Sequence, residues 1–468
     1  MRAFAAICLG CLIASTGPAC KGKKRELGLS RARDGAPPVI VVDGPVRASG
    51  VGRTAPEVEP NDQRDNAGVV SVPGGIDGSL LGPEDIDFYR VEAGPARILV
   101  MEATGKGVDE GGADLILDVY DEDGNSVARS DRGPAGVLEG VPNWAVPEGK
   151  PLFISISEFV KKAKRGKDKA PAGEPVPRSY RLTVQTIEPG PAEEIEPNDD
   201  AAGAREVLLA DEVMGYLGWS KDVDLWKLSL AGFSAAFALD VEVEGTEGVA
   251  LTLELLAQDG SVIATRKGQK DRGLRMRGFV PAPGTAHWLA RLSGSRSNPT
   301  QPYRLVTRSR SLEEGDEVEP NDDREHAIVL GPAGDGSEGE ARGFLGAGDV
   351  DVYKIEAGRE PMTVDLVLDG PGGVDVKLRA LDASGAERMV SAAGTAGQRE
   401  ELRRVPLAPG AVVFVEVSGQ AVGDEVDPYR LRWTTTVDLG QPMPGAGSSP
   451  PGGSGDDDDP ALNNPYDD

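Results

Sequence analysis

Cysteine is scarce: Cys8, Cys11 and Cys20 are the only three, and all stand within the first twenty positions. Histidine is scarcer still, at His287 and His326. A disulfide-stapled scaffold and a zinc module with several Cys or His ligands are excluded. The two histidines lie in different parts of the chain, so they do not build a shared hydrolytic site. Positive charge is short. The 50 Lys and Arg against 77 Asp and Glu leave a net charge of −27, which excludes nucleic-acid binding along a broad basic face. No GxxxxGK[ST] phosphate loop occurs. Carboxylates abound, so composition alone leaves a glycosidase-type acid pair open. Long apolar runs are also missing. The stretch from Ala3 to Ser15, about 13 residues, is too short to span a bilayer but suits a signal-peptide core.

Glycine and proline are plentiful, at 62 and 36 residues. That suits a turn-rich all-β protein and stops short of low complexity. No segment keeps a helical period over three or four turns.

The ends differ from the middle. After the apolar run, Thr16-Gly17-Pro18-Ala19-Cys20 breaks the pattern. Cleavage before Cys20 would leave one cysteine, at the first mature position. This resembles a bacterial lipoprotein, which implies diacylation of Cys20 and a lipid anchor in a membrane. Ala19 fits that pattern; Gly17 stands where the pattern has Leu. Small residues at Gly17 and Ala19 equally satisfy an ordinary signal peptidase, which would leave Cys20 a free thiol. Residues 1–19 are thus read as a signal peptide and 20–56 as a basic, Pro- and Gly-rich tether. Residues 437–468, with Asp456 to Asp459, cannot bury a core and are read as a disordered acidic tail.

The middle repeats. Glu57-Val58-Glu59-Pro60-Asn61-Asp62 recurs 137 residues later as Glu194-Ile195-Glu196-Pro197-Asn198-Asp199, and 123 residues after that as Glu317-Val318-Glu319-Pro320-Asn321-Asp322. From 24 to 28 residues beyond each Asn comes Asp-x-Asp, at Asp85/Asp87, Asp222/Asp224 and Asp349/Asp351, with an aromatic close behind. Then follow an Asp-Gly or Ser-Gly turn (Gly124, Gly260, Gly385), a Pro-rich turn, an apolar run, and a closing Tyr-Arg-Leu at Tyr180, Tyr303 and Tyr429. Asp-Gly between apolar runs marks a hairpin, because both residues tolerate positive φ. The sequence therefore predicts three tandem antiparallel β-sandwiches, at 57–188, 194–309 and 317–436. These units take up nearly all the sequence between the termini and leave no room for a separate catalytic domain.

The combination of Glu-Pro-Asn-Asp, Gly-x-Leu-Gly (Gly215 to Gly218, Gly343 to Gly346, loosely Gly78 to Gly82), Asp-x-Asp, the turns and the closing Tyr resembles the bacterial pre-peptidase C-terminal domain family. The resemblance covers about four-fifths of the chain. It implies a jelly-roll-like sandwich. Members usually trail secreted peptidases, and some bind calcium and extracellular polymers.

Calcium takes six to eight oxygen ligands. Residues two apart in an extended segment share a face. Glu57 with Glu59 and Asp85 with Asp87 would then converge, joined by Asn61 and Asp62. The corresponding sets are Glu194, Glu196, Asn198, Asp199, Asp222, Asp224 and Glu317, Glu319, Asn321, Asp322, Asp349, Asp351. The family resemblance implies that the opening-segment acids and amides bind Ca²⁺. The same residues also suit turns whose side chains bond the local backbone. A basic run, Lys161, Lys162, Lys164, Arg165, Lys167 and Lys169, could dock phosphates or the acidic tail, and it also suits a solvated loop. The tyrosines and tryptophans at fixed slots are expected to pack with their polar tips at the surface. Trp144, Trp219, Trp288 and Trp433 could each stack on a sugar or pack in a core.

These features together read as a non-catalytic envelope lipoprotein, on the outer membrane or otherwise secreted or periplasmic. Its tandem modules would bind a polysaccharide or a surface protein, with avidity from repetition. A spacer or scaffold subunit of an envelope complex is the alternative.

Overall fold

The computed structural model describes residues 52–160, 176–230, 232, 237–334, 336–346, 348–420 and 427–438. The signal peptide read at 1–19, Cys20, the basic run from Lys161 to Lys169 and positions 439–468 of the tail read at 437–468 lie outside the described residues, whereas Val437, read as tail, ends the strand Tyr429–Val437. Within them the chain is all β, with no α-helix and only two short 3-10 turns, Arg64–Asn66 and Val108–Glu110. No helix among the described residues is long and apolar enough to cross a membrane.

The strands fall into six sheets with one recurring pairing order. In the first pair, one sheet runs Thr54–Pro56, Gly74–Leu80, Arg178–Ile187, Arg97–Gly105, Glu139–Val146. The other runs Gly68–Val70, Asp87–Val91, Leu152–Glu158, Leu115–Tyr120, Ser126–Ser130. Thr54–Pro56 lies in the stretch read as tether, yet it pairs in parallel with Gly74–Leu80. Strands between 205 and 311, and again between 328 and 437, repeat this order without that first edge strand.

The registers superimpose the three units. Asp87 pairs with Ile156, which pairs with Leu117, which pairs with Ser130. The same row in the second unit is Asp224, Leu292, Leu253, Arg266. In the third it is Asp351, Val417, Leu378, Ser391.

Alternation of apolar and polar residues explains which face is buried. Met362–Asp369 alternates buried and half-buried along its whole length, as a strand with one face on a core must. Each sheet pair encloses its own apolar cluster. The first also takes in Trp219, from beyond the first unit. The expected hairpins form at Gly124, Gly260 and Gly385, which hold φ of 87°, 84° and 89°. Asp121 and Asp382 brace two of these turns by accepting bonds from backbone N–H groups.

Candidate metal centres

Each opening segment is placed by backbone bonds before its side chains do anything. The N–H of Glu57 donates to Asp77 O (3.0 Å), that of Glu194 to Met214 O (2.9 Å) and that of Glu317 to Arg342 O (2.8 Å). Two residues on, Glu59, Glu196 and Glu319 each accept from the N–H of the following Asn, at 2.9, 2.7 and 2.7 Å. The intervening Glu-Pro bond is cis in all three units. The segment ends by docking on the Asp-x-Asp strand. Phe88, Leu225 and Val352 donate their N–H to the carbonyls of Asn61, Asn198 and Asn321.

This brings carboxylates together. Glu57, Glu59 and Asp87 form one group, Glu194, Glu196 and Asp224 a second, and Glu319, Asp349 and Asp351 a third, with ligand atoms within 4.8 Å of one another. Asn61, Asn198 and Asn321 are buried at the same places. One amide terminus of Asn61 lies 2.8 Å from Glu59 Oε2 and 3.1 Å from Asp87 Oδ1; Asn321 meets Glu319 and Asp351 at 3.1 and 3.2 Å. As nitrogen, that terminus donates to two carboxylates. As oxygen, it joins them as a further acceptor around a cation.

The second cluster is the driest. Glu194, Glu196 and Asp224 are fully buried and Asp222 is 3% exposed. Both carboxylate oxygens of Asp224, Glu194 Oε2, Glu196 Oε1 and Asn198 Oδ1 lack a well-formed hydrogen bond, although Tyr303 interacts with Asp224 and Asn198 with Glu194. An unpartnered buried acceptor costs about 1–3 kcal/mol, and more when charged. Burial pushes Glu194, Asp222 and Asp224 well above the usual carboxylate range, and neighbouring carboxylates push the same way. Burial likewise raises Glu196, to about 8. Asp87 is raised to about 8, chiefly by burial, against the bond from Tyr180. A divalent cation would reverse this balance by favouring the charged forms.

The aromatic slots face these clusters. Tyr89, Trp226 and Tyr353, and the closing Tyr180, Tyr303 and Tyr429, are all at most 3% exposed. The expectation of surface-facing polar tips is therefore corrected: the polar atoms point inward, because only buried acceptors are in reach there. Tyr180 Oη donates to Asp87 Oδ2 at 2.5 Å, Trp226 Nε1 to Tyr303 Oη at 2.7 Å, and Tyr353 and Tyr429 share a 2.5 Å bond. Gly78, Gly215 and Gly343 give these hydroxyls room. A Cβ on any of them would collide with the tyrosine hydroxyl and with Glu57, Glu194 or Glu317.

Not every expected ligand arrives. Asp62, Asp199 and Asp322 are exposed and fall outside the three groups. Asp85, Asp222 and Asp349 instead close the turn before the strand, accepting from the N–H of Leu81 (2.6 Å), Gly218 and Gly346 (2.9 Å). Asp349 does both, since it also belongs to the third group. Of the two readings given for the remaining tryptophans, packing holds and sugar stacking does not. Trp144, Trp219, Trp288 and Trp433 are each 5–7% exposed, and Trp144 meets Trp219 edge-on at 5.7 Å. The two histidines serve locally, His287 beside Gln258 and His326 beside Asp323.

Two features were missed from the sequence. The second and third opening segments also pair with the unit before them. Glu196 donates its N–H to Asn143 O and accepts from Ala145 N–H, at 2.9 and 2.8 Å. Glu319 does the same with Gly278 O and Val280 N–H, at 2.9 and 3.4 Å. Among the described residues nothing pairs in this way with the first opening segment, and Glu59 is exposed. The other missed feature is Arg266, whose guanidinium enters the third cluster.

No protein-family model matches this chain, and no curated protein matches it. Solved structures that are similar include the pre-peptidase C-terminal domain of a collagenase from Bacillus anthracis, at 15% identity and TM-score 0.19, covering 25% of this chain and 93% of that one. The CUB1-EGF-CUB2 domains of rat MASP-1 match at 10% identity and TM-score 0.15, over 49% of this chain and 98% of that one. A triple jelly-roll protein of an archaeal virus matches at 8% identity and TM-score 0.18, over 74% and 80%.

Proposed function

We propose that this chain is a non-catalytic cell-envelope lipoprotein, anchored through Cys20. Its three β-sandwich modules belong with the pre-peptidase C-terminal domains and bind an extracellular or envelope polymer, a polysaccharide or a protein. Each module holds Ca²⁺ in its acid cluster, where the ion fastens the opening segment onto the Asp-x-Asp strand. The observation that carries the calcium reading is the second cluster. Three buried carboxylates, Glu194, Glu196 and Asp224, converge there beside the buried Asn198, and several of their oxygens lack a well-formed hydrogen bond. A desolvated acidic group of this kind is stable when a hard cation takes the free lone pairs.

Repetition gives the polymer reading its physical sense, since weak sites on one chain add avidity on a repetitive target. Co-sedimentation of the chain with the envelope polymers of the producing cell, in calcium and in chelator, tests it. Calcium-dependent pelleting supports polymer binding. Absence of pelleting in both buffers, with one protein co-purifying instead, supports the scaffold reading. The paired backbone bonds at both joints favour that second reading, because they give the array defined inter-unit geometry.

A further inference from the structure

Of the two covered clusters only the third contains, among the described residues, a side-chain cation, Arg266, and the register says where it came from. Ser130, Arg266 and Ser391 hold the same place in their units, on the edge strand two partners removed from the cluster aspartate's neighbour. In the first unit Ser130 Oγ donates to Glu139 Oε2 at 2.6 Å, and that carboxylate also accepts from Arg132 N–H at 2.9 Å. In the third unit Ser391 Oγ donates to Glu400, which also accepts from Gly394 N–H at 2.7 Å. Both pairs latch the two sheets of one unit together. The second unit has Leu274 where these have Glu, since Glu139, Leu274 and Glu400 pair with Ala103, Val243 and Leu368 in turn. No latch is available to Arg266 there. Its guanidinium instead crosses to the third unit and donates to Asp349 Oδ1 at 2.6 Å and Glu319 Oε1 at 3.1 Å. The arginine side chain is 7% exposed and both carboxylates are 2% exposed.

The joint before the second cluster has the same backbone pairing and no such cation. Ser130 stays with Glu139, and among the described residues no Lys or Arg forms an ion pair with Glu194, Glu196, Asp222 or Asp224. The joints are therefore alike in backbone and unlike in charge.

We infer that Arg266 is a resident cation that clasps the second and third units without metal, so that divalent cations govern the first joint and not the second. The ranking of the joints rests on the proposed cation site of the second cluster; the clasp does not. With Arg266 on Glu319 and Asp349, the third cluster has fewer free lone pairs and less negative charge, and it takes a divalent ion more weakly than the second.

Hydrogen exchange on the full chain tests this, read at residues 194–198 and 317–321, which carry the inter-unit amides Glu196 and Glu319. In chelator, 317–321 should exchange roughly tenfold or more slowly than 194–198, because opening that joint strands a buried charge pair. Calcium should slow 194–198 strongly and 317–321 little. Arg266→Ser should free 317–321 in chelator and make calcium restore its protection. The double variant Arg266→Ser with Leu274→Glu rebuilds the latch of the sister units and should behave the same, so a folding defect of the single variant cannot decide the result. Unchanged protection of 317–321 in chelator in both variants overturns the clasp. Equal slowing of both segments by calcium in the parent chain overturns the ranking. No effect of calcium on 194–198 removes the cation reading and the ranking with it, while the chelator comparison still decides the clasp.

Discussion

Replacing Asp224 by Asn should stabilise the chain in chelator and destabilise it, relative to the parent, in calcium. The substitution keeps the shape, so no cavity term enters. Asp224 has the carboxylates of Glu194 and Glu196 within 4.8 Å. At an effective dielectric of about 20, each ionised pair at that distance repels by about 3.5 kcal/mol. The chelated cluster escapes much of this by keeping protons, and holding one on an aspartate at neutral pH costs about 1.4 kcal/mol per pH unit above its ordinary value near 3.9. That caps the gain from removing the charge at about 4 kcal/mol; part of the cap is lost because the parent's proton already makes a donor, which leaves about 2 kcal/mol. In calcium the sign reverses. At a hundredfold excess over its dissociation constant the ion stabilises the parent by about 2.7 kcal/mol, and the variant lacks a ligand. Urea unfolding followed by tryptophan fluorescence includes this unit through Trp226 and Trp288, which lie in its core, while Trp144 and Trp219 report on the first core and Trp433 on the third. A variant less stable than the parent in chelator, or one that calcium raises as far as the parent, would refute the reasoning.

Other consequences follow from the same network. Burial raises Asp87 and Glu196 to about 8, so the folded chain holds protons that the unfolded chain releases near pH 4. The chelated chain should therefore be most stable below about pH 4 as far as these groups are concerned, and should lose that contribution as pH rises through about 8. Melting temperatures in chelator across that range check the sign, and calcium should flatten the fall. Tyr180→Phe removes the hydroxyl that Asp87 accepts from at 2.5 Å and should cost about 1–3 kcal/mol in denaturant unfolding, more in chelator than in calcium. Gly343→Ala drives a methyl into Tyr429 and Glu317; it should cost about 1–3 kcal/mol and weaken calcium binding at the third cluster, measured by calorimetry against Gly339→Ala as a steric control that meets Trp433 instead.

Much of this fold can be read from the chain because its signals are local and repeat. Glu-Pro-Asn-Asp, the Gly124, Gly260 and Gly385 turns and the closing tyrosines each depend on a few neighbouring residues. The same holds for Asp87, Asp224 and Asp351, which lie on regular strands where alternation fixes the face. Asp85 departs from its expected place because the strand begins only at Asp87. Asp85 is still in a turn, its N–H on Gly82 O at 3.2 Å, so the rule of two does not reach it. The inward tyrosine hydroxyls needed knowledge of what lies across the sandwich. Arg266 was the least legible. Its meaning depends on a register across four strands, on Leu274 in a fifth, and on two acids in the next unit.

The most direct test of the central claim is a calorimetric calcium titration of the chain at about pH 8, paired with Asp224→Asn. Saturable binding in the parent, lost in part in the variant and accompanied by a rise in melting temperature, is the expected result. No heat of binding and no thermal shift in the parent would show that the buried acids are a proton-bearing turn network and would contradict the account.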